Sequence, residues 1–343
     1  MIGWRLGVEV ELLAPPGKSR YDLALAIARE YDGTVRRIFH PQSEPSKVPG
    51  MPVFHNLTLG FEVLDAQGER VARCVDDLTL QADLVRETPP LPGWYRIVSD
   101  DERLLRLIAR QSDPDHDLTQ VLEPVARLFG TNLEAGPGGM QRVNDETGAS
   151  VAIVAPLPGE RERPCELITA PLDDAHQCRL ERLLKLAREL GFTAPVEGAT
   201  HFHFDATRLQ SAGALANLVR LVGACPLREM VGTNPRCRRL GAWPSELLET
   251  VSAPDFSQLD WAQATSRISK LPLTKYCDFN LLNCLNPRAR QNTVEIRILP
   301  VWLEAEPMIK MAALFAAILR RAGGPPVESP PESVPELLAL LEG

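Results

Sequence analysis

The stretch GVEVELL, residues 7 to 13, reads as a β-strand because apolar and acidic residues alternate along it. Successive side chains on a strand point to opposite faces. Val8 and Val10 therefore share one face, and Glu9 and Glu11 share the other. Because neighbouring carboxylates repel each other, this arrangement raises the question of what compensates their charge.

Two later segments repeat this design. In THFHFD, His201 and His203 lie on the face opposite two phenylalanines. In TVEIRIL, Glu295 and Arg297 lie on the face opposite three aliphatic residues. If the three strands share one sheet, one face packs on helices and the other gathers carboxylates, imidazoles and a guanidinium.

Further carboxylates occur in two other predicted strands: Glu166 in CELITAPL, and Asp76 or Asp77 in CVDDLTLQ. So many carboxylates would resist assembly unless cations neutralised them. Oxygen-rich sites with an imidazole suit Mg²⁺ or Mn²⁺, and such ions commonly bridge to phosphates. Arg297 suits bidentate binding of phosphate oxygens. The pattern therefore predicts a site for a divalent metal and a phosphate.

Each of these features also has a simpler interpretation. Paired glutamates usually mark a solvated sheet face, an HxH pair on a strand is often coincidence, and an ExR pair is commonly a weak surface salt bridge. Lys275, Asn280 and Asn283 could contact phosphate, nucleotide or substrate, or could form structural hydrogen bonds. The glycine-rich residues 136–140 and the basic cluster NPRCRR at 234–239 could bind ligand groups or be plain loops.

Composition limits the function classes. The 343 residues are 44% hydrophobic and 24% charged, as in a soluble globular protein, and the net charge of -8 argues against a nucleic-acid partner. The most apolar helical run, residues 308–319, is too short to span a membrane. The N-terminus leads directly into a strand, which predicts no signal peptide. Seven scattered cysteines without a CxxC motif are expected to be free thiols in the cytoplasm.

Strands and helices are mixed without a regular βαβ alternation, which favours an α+β fold with a mostly antiparallel sheet. Residues 40–56, with four prolines, are predicted to form a loop. Residues 323–343 are predicted to form a proline-rich linker and a short helix. Longer helices are predicted at about 21–31, 100–111, 118–130, 173–191, 211–224 and 305–322.

The motifs GVEVE, CELITAPL, THFHF and TVEIRIL, in this order, resemble those of the putative amidoligase family, within the carboxylate–amine ligases of the glutamine synthetase and glutamate–cysteine ligase fold. The resemblance implies one catalytic domain over residues 1–322 with a helical insertion at about 95–150. It also implies a curved, mostly antiparallel sheet, with helices on the convex face and ATP with divalent metals on the concave face.

The resemblance implies an ATP-dependent ligase that joins a carboxylate and an amine, in small molecules or peptides, through an acyl phosphate. The implied cofactors are ATP and Mg²⁺ or Mn²⁺. The implied metal ligands are Glu9, Glu11, Glu166, His201, Glu295 and Asp77. The implied catalytic residues are Arg297, Glu11 and Glu295. The implied nucleotide or phosphate contacts are His201, His203, Arg297 and Lys275. The choices between Asp76 and Asp77, and between His201 and His203, stay open.

Three other functions remain open from the sequence. A phosphotransferase on the same fold would give a stable phosphorylated product without an amine. A catalytically silent scaffold or binding protein would tend to have lost some of the carboxylates. A metal-dependent hydrolase would work without ATP. The sequence does not indicate an oligomeric state.

Overall fold

The computed structural model describes residues 2–48, 51–232, 240–286, 289 and 291–342. The basic cluster at 234–239 lies outside these residues. The strands within the described part are β1 Leu6–Leu13, β2 Thr34–Val48, β3 Met51–Leu64, β4 Arg70–Val75, β5 Tyr95–Ser99, β6 Glu134–Ala135, β7 Gln141–Asn144, β8 Ser150–Pro156, β9 Pro164–Thr169, β10 Thr200–Asp205, β11 Phe279–Asn280 and β12 Thr293–Leu299. The α-helices there are α1 Arg20–Glu30, α2 Glu102–Gln111, α3 Glu123–Leu128, α4 His176–Glu189, α5 Ala212–Val222, α6 Leu227–Val231, α7 Ser245–Ser252, α8 Trp261–Ile268, α9 Leu282–Leu285, α10 Ala305–Ala322 and α11 Val334–Glu342.

The chain divides into two compact units. The first unit consists of Met1–Val10, Pro171–Lys185 and Glu197–Gly343, and the second consists of Glu11–Ala170 and Leu186–Val196. Strand β1 crosses this division between Val10 and Glu11. The named strands of each unit pair antiparallel, and helices accompany them, so the predicted α+β class with an antiparallel sheet is confirmed.

The first unit contains an open antiparallel sheet in the order β11-β12-β10-β1. Its apolar side chains come from the alternate positions that the sequence predicted. Phe202 and Phe204 are fully buried and lie edge to face, with ring centroids 6.2 Å apart. Phe279 of β11 packs against Phe315 of α10 at a centroid distance of 6.0 Å. The contact between Phe279 and Phe315 holds helix α10 against the strands.

The second unit contains strands in the order β9-β4-β3-β5-β8-β7-β6, and β2 pairs with β3. Helices α2 and α3 pack on these strands through a continuous apolar cluster. Ile108 and Val125 from the helices meet Ile97 and Val154 from the strands, and all four are almost completely buried. Tyr95 is also buried, but its hydroxyl donates a hydrogen bond to the carbonyl of His116 at 2.9 Å.

The loop prediction for residues 40–56 is wrong, because residues 40–48 and 51–56 belong to the long antiparallel pair β2 and β3. Prolines 41 and 45 lie within β2, opposite Leu57 and Val53. Among the described strands, β2 has β3 as its partner, so the missing proline N–H groups remove no bond to a strand on the other side. The segment predicted as a helical insertion contains α2 and α3, and it also contains β5, β6 and β7.

Helix boundaries follow local signals. Ser19 caps α1, since its backbone N–H and its hydroxyl both donate to Asp22 Oδ2 at 2.8 Å. Gly191, with a φ of 82°, lies just after α4 in the left-handed conformation that glycine accommodates. Helix α10 begins and ends at the predicted residues.

Within the described part of the chain, every helix is too short or too polar to cross a bilayer.

Glu62 lies between two arginines in the second unit. It is directly opposite Arg36 on one side and Arg73 on the other. It forms ion pairs with both, at 2.7 Å for Arg73. Burial alone would raise the pKa of Glu62, but hydrogen bonds and charge from Arg73 and then Arg36 more than offset it and lower the pKa.

We expect Glu62→Gln to destabilise the protein at neutral pH by about 1–2 kcal/mol, because charged hydrogen bonds to two arginines are lost. Because the pKa of Glu62 is lower in the folded state, its charged form stabilises the fold above the unfolded pKa of about 4.5. This stabilisation is lost as the pH falls through the folded-state pKa. The stability difference from wild type should therefore shrink on acidification. Urea titrations at pH 7 and pH 3 measure the free energy of unfolding of both proteins. The exposed Glu69→Gln is the control, and equal midpoints for Glu62→Gln and Glu69→Gln at pH 7 would contradict the prediction.

Candidate functional site

The register of three strands in the first unit places the predicted polar residues on one face. Glu9 is opposite His201 in the pairing of β1 with β10, and His203 is opposite Glu295 in the pairing of β10 with β12. Phe202 is opposite Val8 and Ile296, on the other face. The three motifs therefore share a sheet as predicted, and their charged side chains lie beside each other.

Four side chains of this face form a network of ion pairs. Nε2 of His203 lies 3.1 Å from Oε1 of Glu9 and 3.9 Å from Oε1 of Glu295. Nδ1 of His201 lies 3.4 Å from Oε2 of Glu9 and 3.8 Å from Oε1 of Glu295. Although Nε2 of His203 is close to Glu9, the contact is not aligned as a hydrogen bond. The attraction between them is therefore mainly that of opposite charges.

The electrostatics favour the charged forms of Glu9 and His203. Burial would raise the pKa of Glu9, but the charge of His203 and the contacts of both histidines hold it well below its usual value. Burial would lower the pKa of His203, but the charge of Glu9, followed by that of Glu295, raises it. The imidazolium of His203 therefore compensates the carboxylates that the sequence places on this face.

Glu295 is the most buried carboxylate of the group, with 4% of its surface exposed. Asn280 Nδ2 donates to its Oε2 at 2.7 Å, and Arg297 forms an ion pair with its Oε1. Burial would raise the pKa of Glu295, but Arg297 and His203 more than offset this and lower it. The amide and the guanidinium together fix the orientation of this carboxylate.

The sequence did not single out Thr293 as a contact of this network. Its Oγ1 lies 3.4 Å from Nδ1 of His203 and 3.5 Å from Nδ2 of Asn283. Thr293 is two residues before Glu295, so alternation along β12 already placed it on the same face. For Asn280, the structural hydrogen bond that the sequence left open is the one observed.

One comparison with known proteins bears on this geometry. Residues 3–319 match the protein family described as "Putative amidoligase enzyme". The chain belongs to this amidoligase family. The family name indicates a ligase-type enzyme, and the match covers β1, β10 and β12. No curated protein matches the chain.

The amidoligase resemblance also singled out four further residues. Glu11 and Glu166 belong to the second unit, on the last part of β1 and on β9. Asp77, also in the second unit, accepts hydrogen bonds from the backbone and hydroxyl of Thr79 at 2.8 and 2.9 Å. Exposed Lys275 in the first unit has its Nζ 5.3 Å from the centroid of the Tyr276 ring. Their ligand and phosphate roles stay predictions.

Asp76, the alternative to Asp77, is completely buried in the second unit. It forms ion pairs with Arg161 and, at 3.8 Å, with Arg20. The carboxylate therefore has a structural role, which is to balance two buried guanidinium groups.

Glu9, His203 and Glu295 suit a divalent cation. One ligand atom from each lies within 4.8 Å of the other two. Two carboxylate oxygens and an imidazole nitrogen match the preferences of Mn²⁺ and Mg²⁺, with the remaining positions open to water or phosphate oxygens. Asn280 and Arg297 would then act as outer contacts that orient Glu295.

We expect Mn²⁺ to bind this cluster, and Glu295→Gln to weaken binding by about tenfold or more, because one anionic ligand is lost. Asn280→Ala should weaken it less, by loosening Glu295. Isothermal titration calorimetry of Mn²⁺ into the folded variants measures both effects. Exposed Glu249→Gln on α7 is the control. Equal affinities for Glu295→Gln and Glu249→Gln would contradict the prediction.

Proposed function

We propose that this protein is an ATP- and Mg²⁺-dependent ligase that joins a carboxylate and an amine through an acyl phosphate. The observation that carries this proposal is the Glu9–His203–Glu295 cluster next to Arg297 in a member of an amidoligase family. The cluster offers ligands for a divalent metal, and the guanidinium offers a partner for phosphate oxygens. An ATP-using ligase needs both.

The chemistry follows from the poor reactivity of carboxylates. An oxygen of the substrate carboxylate would attack the γ-phosphorus of ATP, with ADP as leaving group. The amine nitrogen would then attack the carbonyl carbon of the acyl phosphate, phosphate would leave and the nitrogen would lose a proton. A bound divalent cation would neutralise phosphate charge. The mechanism requires no covalent nucleophile from the protein.

Residues of the first unit have distinct roles in this proposal. Glu9, His203 and Glu295 would hold the metal, with His201 beside them as a further imidazole contact. Arg297, whose side chain is 19% exposed, would bind the transferred phosphoryl group. Its ion pair with Glu295 keeps the guanidinium next to the metal ligands until a phosphate competes for it.

We also propose that the protein has the glutamine synthetase-like fold. The support is the antiparallel strands of both units and the family match, which extends over residues 3–319. In such a fold Glu11 and Glu166 keep their predicted role as metal ligands. Substrates would be small-molecule or peptide acids and amines.

The first test is calorimetric titration of a non-hydrolysable ATP analogue with and without Mg²⁺. We expect binding that requires Mg²⁺ and that falls about tenfold or more in Arg297→Gln, because a bidentate charged contact is lost. Exposed Arg320→Gln on α10 is the matched control and should bind as wild type does. Absence of binding to folded wild type, also with pooled amino acids present, would overturn the proposal.

The second test separates a ligase from a phosphotransferase. Acid and amine pairs are screened for ADP release, and products are identified by mass spectrometry. A ligase gives an amide that requires both substrates. A stable phosphorylated acid formed equally well without amine would instead identify a phosphotransferase.

A further inference from the structure

The first unit contains a cavity of about 420 Å³ beside β11, at one end of the strand order β11-β12-β10-β1. Its described lining comes from the end of α5 and the turn after it, from α6, from the segment before α7 and from residues 278–279. The volume lies within the range of about 300–1,000 Å³ that is typical of small-molecule sites. The metal cluster contributes no residue to this described lining.

The wall of the cavity is mostly aromatic and aliphatic. The rings of half-buried Trp243 and buried Phe279 lie with their centroids 5.6 Å apart and their planes tilted by 49°. Val222 and Leu227 add buried aliphatic side chains. Burial raises the pKa of the Cys225 thiol, so this side chain stays protonated and acts as a small apolar group. The cavity therefore offers a ligand mainly apolar surface.

Polar groups of the wall bond to one another. Arg228 forms a bidentate ion pair with Asp278, in which its Nε donates to Oδ2 at 2.7 Å, and its Nη2 also donates to the carbonyl of Leu240 at 2.8 Å. The indole N–H of Trp243 donates to a backbone carbonyl of β11 at 2.7 Å. The acidic lining residue Glu229 is exposed. A purine, with polar atoms around its edge, would compete with these bonds, whereas a hydrocarbon ring would leave them intact.

The aromatic wall is held in place by backbone hydrogen bonds. Gly241 N–H donates to the carbonyl of Tyr276 at 3.1 Å, and Asp278 N–H donates to the carbonyl of Gly241 at 3.1 Å. These bonds fasten the segment that carries Trp243 to the chain that leads into β11. Because the wall is ordered without a ligand, binding has a smaller entropic cost.

The cavity wall is a neighbour of the candidate metal and phosphate site. The backbone N–H of Arg297 donates to the carbonyl of Asp278 at 2.9 Å. Two residues further on, Asn280 is opposite Glu295 and donates to its carboxylate. Directly opposed residues of neighbouring strands have their Cα atoms only about 5 Å apart. A molecule in the cavity would therefore lie beside the strand that carries Glu295 and Arg297.

We propose that this cavity binds an aromatic ring that belongs to the acid or the amine substrate of the ligase. The ring would pack against Trp243 and Phe279 in the tilted or offset arrangement that aromatic pairs favour. The assignment of the ring to a substrate rests on the proposed function, whereas the binding of a ring to the cavity does not.

The test is calorimetric titration of the full chain in EDTA and without nucleotide. The ring-bearing probes are phenylacetate and phenethylamine, and their counterparts without a ring are acetate and ethylamine. We expect at least one ring-bearing probe to bind about tenfold or more tightly than its counterpart, because the ring buries a large apolar surface. The tighter of the two identifies whether the acid or the amine supplies the ring. Adenosine is titrated as well, and tighter binding of adenosine than of both phenyl probes, with their displacement, would overturn the proposal.

Variants then locate the site. Trp243→Leu should weaken binding of the phenyl probe by about tenfold or more, because an aromatic face is lost. Ala224→Leu, at an exposed lining position, should also weaken it, because the larger side chain occupies the cavity without removing a contact. Half-buried Trp261→Leu on α8 is the matched control and should bind as wild type does.

Wild-type affinity in both Trp243→Leu and Ala224→Leu would overturn the proposal, as would equal or absent binding of the probes with and without a ring. Ring binding is measured without metal or nucleotide. Its outcome is therefore separate from that of the Mg²⁺–nucleotide test, which depends on Arg297.

Discussion

The first unit depends on the register of β1, β10 and β12. Because side chains alternate along each strand, one register decides both faces at once: Phe202 and Phe204 enter the apolar layer, and His203 meets Glu9 and Glu295. A slip of one residue would exchange the two sets and bury charge among the helices. The apolar core therefore specifies the polar cluster.

Charge pairing makes the buried polar face possible. Glu295 has few contacts with solvent, and removing it from water would be costly without Arg297, Asn280 and the histidines around it. Such a network contributes more to a unique arrangement than to net stability, because desolvation offsets much of the attraction. It also orients the carboxylate oxygens before any ligand arrives, which a metal or phosphate site requires.

Local periodicity explains what the sequence could predict. Alternation identified β1, β10 and β12 and placed their charged residues on one face, and the same rule would have found Thr293. The alternation rule failed for β2, because its prolines predicted a loop. The strand accommodates these prolines, since it pairs with β3 on one side. The rule also could not find the Arg20–Asp76–Arg161 cluster, because Arg20 and Arg161 are 141 positions apart and neither lies in a motif. Contacts between distant segments leave no periodic signal.

Arginine has a different role in each unit. Arg297 in the first unit pairs with a carboxylate of its own cluster, so a metal or phosphate must compete with an existing ion pair. In the second unit, Asp76 balances two buried guanidinium groups, those of Arg20 and Arg161. Other donors of these two groups bond to the backbone carbonyls of Leu59, Leu80 and Asp77, so this cluster joins distant segments of the unit. The partly exposed Arg297 is therefore available to a ligand, whereas the buried pair Arg20 and Arg161 is committed to the fold.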